Sequence, residues 1–503
     1  MKKILIVGGG TAGLFVANHL ASDFDVLVLE SSDKEKLPLL YRIPLAIGFL
    51  FRRNDKNYLR KIHLKFGESR EIPYFLPKLI GGSSEINGAV HVIGSRKVWK
   101  KILKYFQFSL EDFEKACSQI FSNANVNRTS NYIKDRPAPI GILEKKFIGA
   151  LKKISFPLID SRWQDEIGFG KIINNCSRIF RSSVAKDFKI TKRVKIVKNT
   201  KVIKLIFEGK RIVGVKSDKN TYFADFVLLS AGTIGTNEIL LRTKKETGFW
   251  QNHSIGSGIK DHTNIKFNFT TPKKIGSINE LLNSRFQQFV ETIRHVLGQP
   301  SLLSGTGATL AIHYSSKKKE NVDCRINVVR YSEYSKKGVF GQNIDPRPGF
   351  SISFTPLFPK SYGYIDLDKD SLTIRPKYLS CSQDTKVLLK AMEFVRNLIK
   401  DELFDDLELK NLDGFDFYDQ DFLKNNLFTG HHLIGGVASI VEPNFSVRDI
   451  SGLFICDASL LKDFPSSNIH ASILILAHFF VKKFCDQHSN QNPYKRIGKN
   501  VEK

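Results

Sequence analysis

The sequence predicts an α/β chain in which a doubly wound parallel sheet is interleaved with an α+β domain built on an antiparallel sheet. Three observations predict it. The first thirty residues read strand, glycine-rich turn, helix, strand, acid. Between Asp261 and Phe428 the pattern changes to β-rich runs (KFNFTT, TLAIHYSS, CRINVVRY, FSISFTPLF, SLTIRP) mixed with amphipathic helices. Residues 429–483 then return to glycine-rich loops, a short strand and a long apolar helix. At 503 residues, 42% hydrophobic and 25% charged, the chain has about three domains' worth of length at ~100–200 residues each. That composition excludes a disordered chain, a collagen-like repeat and a small disulfide-stapled module.

Taken in order, Lys3 to Val7 is a strand, Gly8 to Gly13 a tight turn, Leu14 to Ala21 a helix, and Asp25 to Leu29 a second strand ending at Glu30. The apolar run Ile4 to Val7 is shorter than the ~7–15 residues of a secretory core, so the start reads as a strand and not a leader. Residues 31–75 are mixed, with basic and aromatic signals, and Leu79 to Val90 is a glycine/serine-rich loop. Residues 99–121 have helical spacing, with Trp99, Ile102, Phe106, Leu110 and Phe113 on one face. Lys186 to Arg211 alternates Val and Ile with Lys, as a half-buried sheet does. Strand signals continue to Leu229, with GKR as a turn. Leu453 to Ile455 is a strand and Ala471 to Phe484 a helix.

The expected domains are 1–262, with lid insertions near 41–75 and 100–165, then 263–428, a return over 429–485, and a frayed polar tail at 486–503. No run approaches the ~18–20 apolar residues of a membrane-spanning helix. The six cysteines show no C-x-x-C, so no metal site and no dithiol pair are expected, and a reducing, cytoplasmic location fits.

The charge is unusual: 77 basic minus 50 acidic residues gives +27. Such an excess attracts anionic surfaces or acidic substrates within about a Debye length, ~8 Å. The plainer reading is a basic surface without a specific partner, with weak association with anionic surfaces at most. Nucleic acid is not expected, because none of its usual reading modules occurs.

GGGTAG at Gly8–Gly13 fits G-x-G-x-x-G, with Thr11 and Ala12 inside it, and its context is complete. Gly8 permits the turn, Gly10 lets backbone approach a pyrophosphate, and Gly13 lets helix and strand pack closely. The helix N-terminus offers free N–H groups to phosphates. Glu30 would accept hydrogen bonds from ribose hydroxyls, and an acid there disfavours a 2′-phosphate. The ligand is therefore FAD or NAD, not NADP. GTGATL at Gly305 and GSGIKD at Gly256 both lack a third glycine, so there is one nucleotide site, and FAD is expected in it. The small residues Gly81, Gly82, Ser83, Ser84, Asn87 and Gly88 would let main chain lie against a flat ring and a diphosphate.

Several segments resemble the glucose–methanol–choline oxidoreductases, the FAD-dependent alcohol oxidases and dehydrogenases. They are KLIGGSSEINGAVHV (Lys78 to Val92), SAGTIGTNEILLRT (Ser230 to Thr243), GSGIKDH (Gly256 to His262), SYGYIDLDKDSLTIRPKYLS (Ser361 to Ser380), HLIGG (His432 to Gly436) and GLFICDASLLKDFPSSNIHASILILA (Gly452 to Ala477). The resemblance implies a Rossmann-type FAD-binding domain and an interleaved α+β substrate-binding domain. It places Val202 near the adenine with Ala231 and Gly232, and Asp457 and Ala458 near the ribityl chain and pyrophosphate. Gly82, Ser83, Asn87, Gly88 and Val90 would lie along the cofactor. Three positions depart from the family pattern: Gly436 replaces a threonine, Ile93 an arginine and Pro77 a glycine. The family's occasional histidyl attachment point falls on Ile86, which has no nucleophile, so non-covalent FAD is expected.

Oxidising an alcohol removes a proton from oxygen and a hydride from carbon, and the hydride goes to the flavin. The proton needs a base that works near neutral pH, which histidine does. The resemblance implies His432 as that base, with adjacent His431 still open. It implies Asn468 as a polarising partner that does not compete for the proton, and His470 at the flavin's pyrimidine edge. The expected activity is oxidation of a primary or secondary alcohol, with oxygen or another carrier as electron acceptor. Two alternatives stand beside it: a flavin-containing lyase on the same fold with acid–base chemistry only, and a non-catalytic basic binding protein.

Overall fold

The structure, a computed structural model, describes all residues except 123–132, 178, 188–189, 318–320, 335–342, 414–419, 466 and 490–503. Its first layer is a five-stranded parallel sheet in the order Leu453–Ile455, Phe226–Leu229, Lys3–Val7, Asp25–Leu29, Lys195–Val197. The three central strands are buried almost throughout, which is why they read as unbroken apolar runs. In register, Val7 lies between Leu29 and Leu229, and Leu229 faces Ile455. Gly8, Glu30, Ser230 and Cys456 therefore emerge together at the carboxyl ends of adjacent strands, where open α/β sheets bind their ligands. Helices Thr11–Leu20 and His470–His488 pack against each other, with Phe15 edge-on to His478.

The second layer is antiparallel. Lys410–Asn411, Thr263–Thr270, Gly349–Pro356, Cys324–Val329, Ala308–Tyr314 and Gly168–Lys171 pair in that order, and Phe428–Thr429 joins Thr263–Thr270. Successive side chains alternate between its faces. Ile265, Phe267, Ile326, Val328, Ile352 and Phe354 are all buried on one face, and helix Ser382–Leu398 packs against these strands. The opposite face presents Asn264, Lys266, Arg325, Asn327, Ser353 and Thr355 to a cavity. Gly168–Lys171 enters this sheet from the chain's N-terminal half, which a division at residue 262 does not anticipate.

Four other elements differ from expectation. The first helix starts at Thr11 and not Leu14, so Gly13 sits inside its first turn. The 99–121 pattern is two helices, Arg96–Phe106 and Leu110–Ile120. Gln107 closes the first in the left-handed region (φ +56°), and a reciprocal Ser109/Asp112 capping box opens the second. The 361–380 segment forms hairpin Gly363–Asp368/Ser371–Arg375 in a separate four-stranded sheet with Ser257–Lys260 and Ile434–Gly436, and not in the large antiparallel sheet. The last helix continues to His488, past the expected start of the tail. Ser489 caps it, and positions 490–503 of the tail lie outside the described residues.

Candidate active site

The carboxyl ends of the parallel strands and the polar face of the antiparallel sheet enclose a cavity of about 640 Å³. Gly8, Gly10, Thr11, Ala12, Glu30, Gly82, Ser83, Asn87, Gly88, Val90, Val202, Ala231, Gly232, His432, Asp457, Ala458, Asn468 and His470 all line it. Gly13 does not. It is buried beneath the turn, where a Cβ would come within 2.0 Å of the Gly8 carbonyl oxygen, so its requirement is helix–strand packing.

At the nucleotide end Glu30 is buried and its carboxylate accepts three hydrogen bonds, one of them from the Ser31 hydroxyl to Oε1 at 3.2 Å. Oε2 accepts from the Gly9 N–H and Oε1 from the Ser32 N–H, each at 2.8 Å. A carboxylate has about four acceptor positions, so one remains on Oε2 for a ribose hydroxyl, and the Ser31 hydroxyl bond is the one a ribose could displace. A Cβ on Gly10 would meet nothing within 4 Å, whereas one on Gly82 would lie 2.9 Å from the Gly10 Cα. The two glycines bring main chain from separate motifs together at the rim of the cavity, which suits a diphosphate between them. These features fit FAD.

Two predicted contributors are committed to the protein itself. The Ser84 hydroxyl donates to the Gly81 carbonyl and accepts from the Val184 N–H, so it pins the loop and does not face a ring. The buried Asp457 carboxylate accepts from the Gly232 and Ser459 N–H groups and from the hydroxyls of Thr236 and Ser459. It ties the start of helix Gly232–Thr247 to the C-terminal loop, and burial pushes its pKa above the usual carboxylate range. Asn87 is held by Arg181, whose Nη2 donates to the Asn87 side-chain and main-chain oxygens. No sequence signal marked Arg181.

At the other end the geometry around His432 fixes a tautomer. His262 Nε2 lies 3.1 Å from the Leu357 carbonyl oxygen, which can only accept. A neutral His262 therefore presents Nδ1 as an acceptor, and His432 Nδ1–H, 3.1 Å away, donates to it. The lone pair is left on His432 Nε2, where the Asn468 amide lies 3.4 Å away. The Ser467 hydroxyl donates to Asn468 Oδ1 at 3.2 Å, which turns Nδ2 toward His432. Burial holds both histidines neutral: His262 is pushed down to about 4, and His432 falls well below its ordinary value, helped by its histidine neighbours. Asp261 supports the pair by accepting from the His432 N–H at 2.9 Å and from the Thr429 and Tyr378 hydroxyls.

His431 takes a different path. Its backbone is left-handed (φ +58°) and its ring stacks on Tyr74 at 4.8 Å, away from the His262–His432–Asn468 line. Gly436 is also left-handed (φ +101°), and Asn237 fills the volume a side chain would need. That explains the absence of threonine there. Arg325, 2% exposed, reaches Ser467 Oγ, the Ser161 carbonyl and Asn327 Oδ1. Among the described residues no carboxylate pairs with it. Burial lowers its pKa only to about 10, so the guanidinium stays charged at neutral pH, one serine away from Asn468. In the sequence Asp261 and His262 stand out only as the end of the segment GSGIKDH, and nothing there marks Arg325.

A strand–glycine turn–helix cradle facing a histidine–asparagine pair across one cavity defines a dinucleotide-dependent oxidoreductase. The GMC oxidoreductase family matches this chain over residues 2–264 and 359–477, and the chain belongs to that family of FAD-dependent flavoproteins. Among relatives, it is 22% identical to the oxygen-dependent choline dehydrogenase of Vibrio vulnificus, covering 94% of this chain and 92% of that one. It is 23% identical to the alcohol dehydrogenase [acceptor] of Pseudomonas putida, covering 95% and 94%. Among solved structures, Aspergillus oryzae formate oxidase superposes with a TM-score of 0.81 at 17% identity, covering 97% of this chain and 99% of that one. Pyridoxine 4-oxidase from Mesorbium loti gives 0.80 at 18%, covering 97% and 100%. The large antiparallel sheet and the parallel nucleotide sheet are thus the fold of this family.

Proposed function

We propose that this oxidoreductase converts a primary or secondary alcohol to its carbonyl, with His432 as the base and FAD held without a covalent bond. The observation that carries the reading is the lone pair on His432 Nε2, set by the His262–Leu357 hydrogen bond and turned toward Asn468. Bound FAD supplies a two-electron acceptor for the hydride leaving the alcohol carbon. His432 takes the hydroxyl proton at Nε2, and the Asn468 amide donates to the developing alkoxide. The Arg325 charge, relayed through Ser467, favours negative charge at the same point. Among the described residues the acids lining the cavity are Glu30, Glu238 and Asp457, and the Asp261 carboxylate, which accepts from the His432 N–H, is not part of the lining. The names of the alcohol and choline dehydrogenase relatives support an alcohol substrate and an electron acceptor, oxygen or another carrier.

Anaerobic mixing of the FAD-loaded protein with a panel of alcohols tests the reading. At least one should bleach the flavin absorbance. No bleaching by any alcohol, together with cleavage or addition chemistry on a carbonyl compound, would turn the assignment to a lyase. Ile86 lines the cavity and has no group able to bond to the ring. Acid precipitation is accordingly expected to release yellow flavin into the supernatant, and colour left in the pellet would refute a free cofactor.

A further inference from the structure

Helix Arg285–Val296 is turned the opposite way from an ordinary surface helix. His295 and Glu291, on its polar side, face the protein, while Gln288 is exposed but anchored to it. Gln288 donates to the Leu281 carbonyl, His295 Nε2 to the Ile179 carbonyl, and Glu291 accepts from the Ser301 hydroxyl and the Leu302 N–H. Its apolar side faces water: Phe286 is 76% exposed, Phe289 64% and Leu297, just beyond the helix, 57%, with Ile293 and Val296 also exposed. At 100° per residue these five positions fall on one stripe, flanked by Arg285 on one edge and Arg294 on the other. Single exposed apolar residues are ordinary, but a contiguous set on one helix marks an interaction site. Leu39 and Leu40, also exposed, belong to a turn held nearby by the bonds from Arg181 to Arg42 and from Leu45 to Leu303.

We propose that this stripe seats the protein on an anionic lipid surface, with the phenylalanines entering the headgroup–acyl boundary and the two arginines meeting lipid phosphates. An apolar face edged by cations is the pattern of helices that lie in the plane of an interface. Charge decides against a second copy as the occupant. Apposing two chains of +27 would bring four of these arginines together, whereas an anionic bilayer attracts both the patch and the whole molecule. The cavity is close by. The preceding helix, Ile278–Asn283, lines it through Ile278 and Leu282, and the 39–45 segment through Leu45. Seating the helix would therefore bring the side of the cavity lined by Ile278, Leu282 and Leu45 toward the lipid boundary.

The test is co-sedimentation of FAD-loaded protein with phosphatidylcholine vesicles, with and without phosphatidylglycerol. The parent should partition onto the anionic vesicles, less so as salt rises. Phe286→Ser/Phe289→Ser, which changes only exposed side chains, should lower the partition coefficient by roughly tenfold or more while keeping the parent's melting temperature. Equal partition of parent and variant would mean charge alone drives binding and would overturn the proposal. So would failure of the parent to bind, or light scattering that shows a dimer which the double variant dissolves.

Discussion

His432→Ala is expected to retain FAD and the fold but to lower the rate of flavin reduction by alcohol roughly 10²–10⁴-fold, the usual worth of a positioned base. The reason is the single acceptor position at Nε2, which no other side chain on the His262–His432–Asn468 line can replace. Asn468→Ala should cost less, because the amide polarises and orients without taking the proton. His262→Phe keeps an aromatic ring against Phe464 but removes the acceptor that fixes the His432 tautomer, and an intermediate loss is expected. The pH profile carries a sign. Because burial and neighbouring histidines hold His432 well below its ordinary value, the base is already neutral at pH 6.5. The parent rate should be flat through neutrality and fall only on the acid side of the usual histidine range, and His432→Ala should lack that limb. Stopped-flow reduction at several pH values measures both effects. A large loss in His431→Ala with a silent His432→Ala would place the base one residue earlier.

Acid should destabilise this protein well before its carboxylates reach their ordinary range. Buried His262 and the half-buried cavity residues His431 and His470 are pushed down to about 4, and buried His313 and His478 to about 3. The unfolded chain takes up protons on these groups near 6.5, and the folded chain does so only near 3–4. Their contribution is therefore complete above 6.5 and is lost as the pH falls toward 4. Each unit of depression corresponds to about 1.4 kcal/mol, so several such groups make a large term beside the usual margin of a domain, ~5–15 kcal/mol. Asp261, Asp323 and Asp457, whose pKa values burial pushes up, pull in the opposite direction as they protonate. His478→Leu separates the two effects, since His478 lies in the last helix outside the cavity lining. Thermal melting from pH 7.5 to 5 should fall steeply in the parent and less steeply in this variant. A flat parent curve would refute the argument.

What the sequence determined by itself was the nucleotide end. Gly8, Gly10, Gly13 and Glu30 lie within one strand–turn–helix–strand unit, and Gly82 to Val90 within one loop. In such stretches local backbone geometry and spacing dictate the shape, so residue type at fixed offsets is enough to read it. The histidine–asparagine pair was legible only through resemblance, and the choice between His431 and His432 stayed open because adjacent residues differ merely in where the backbone turns them. Tertiary structure alone decided the rest. His262 meets His432 across 170 residues, Arg325 meets Ser467 across 142, and Arg181 meets Asn87 across 94. No periodicity records such separations, because each contact is fixed by how sheets and loops pack and not by the chain between them. The helix Arg285–Val296 shows the same limit most simply. Its 3.6-residue period predicts an apolar stripe, but only the hydrogen bonds of its polar side to Leu281, Ile179 and Ser301 turn that stripe toward water.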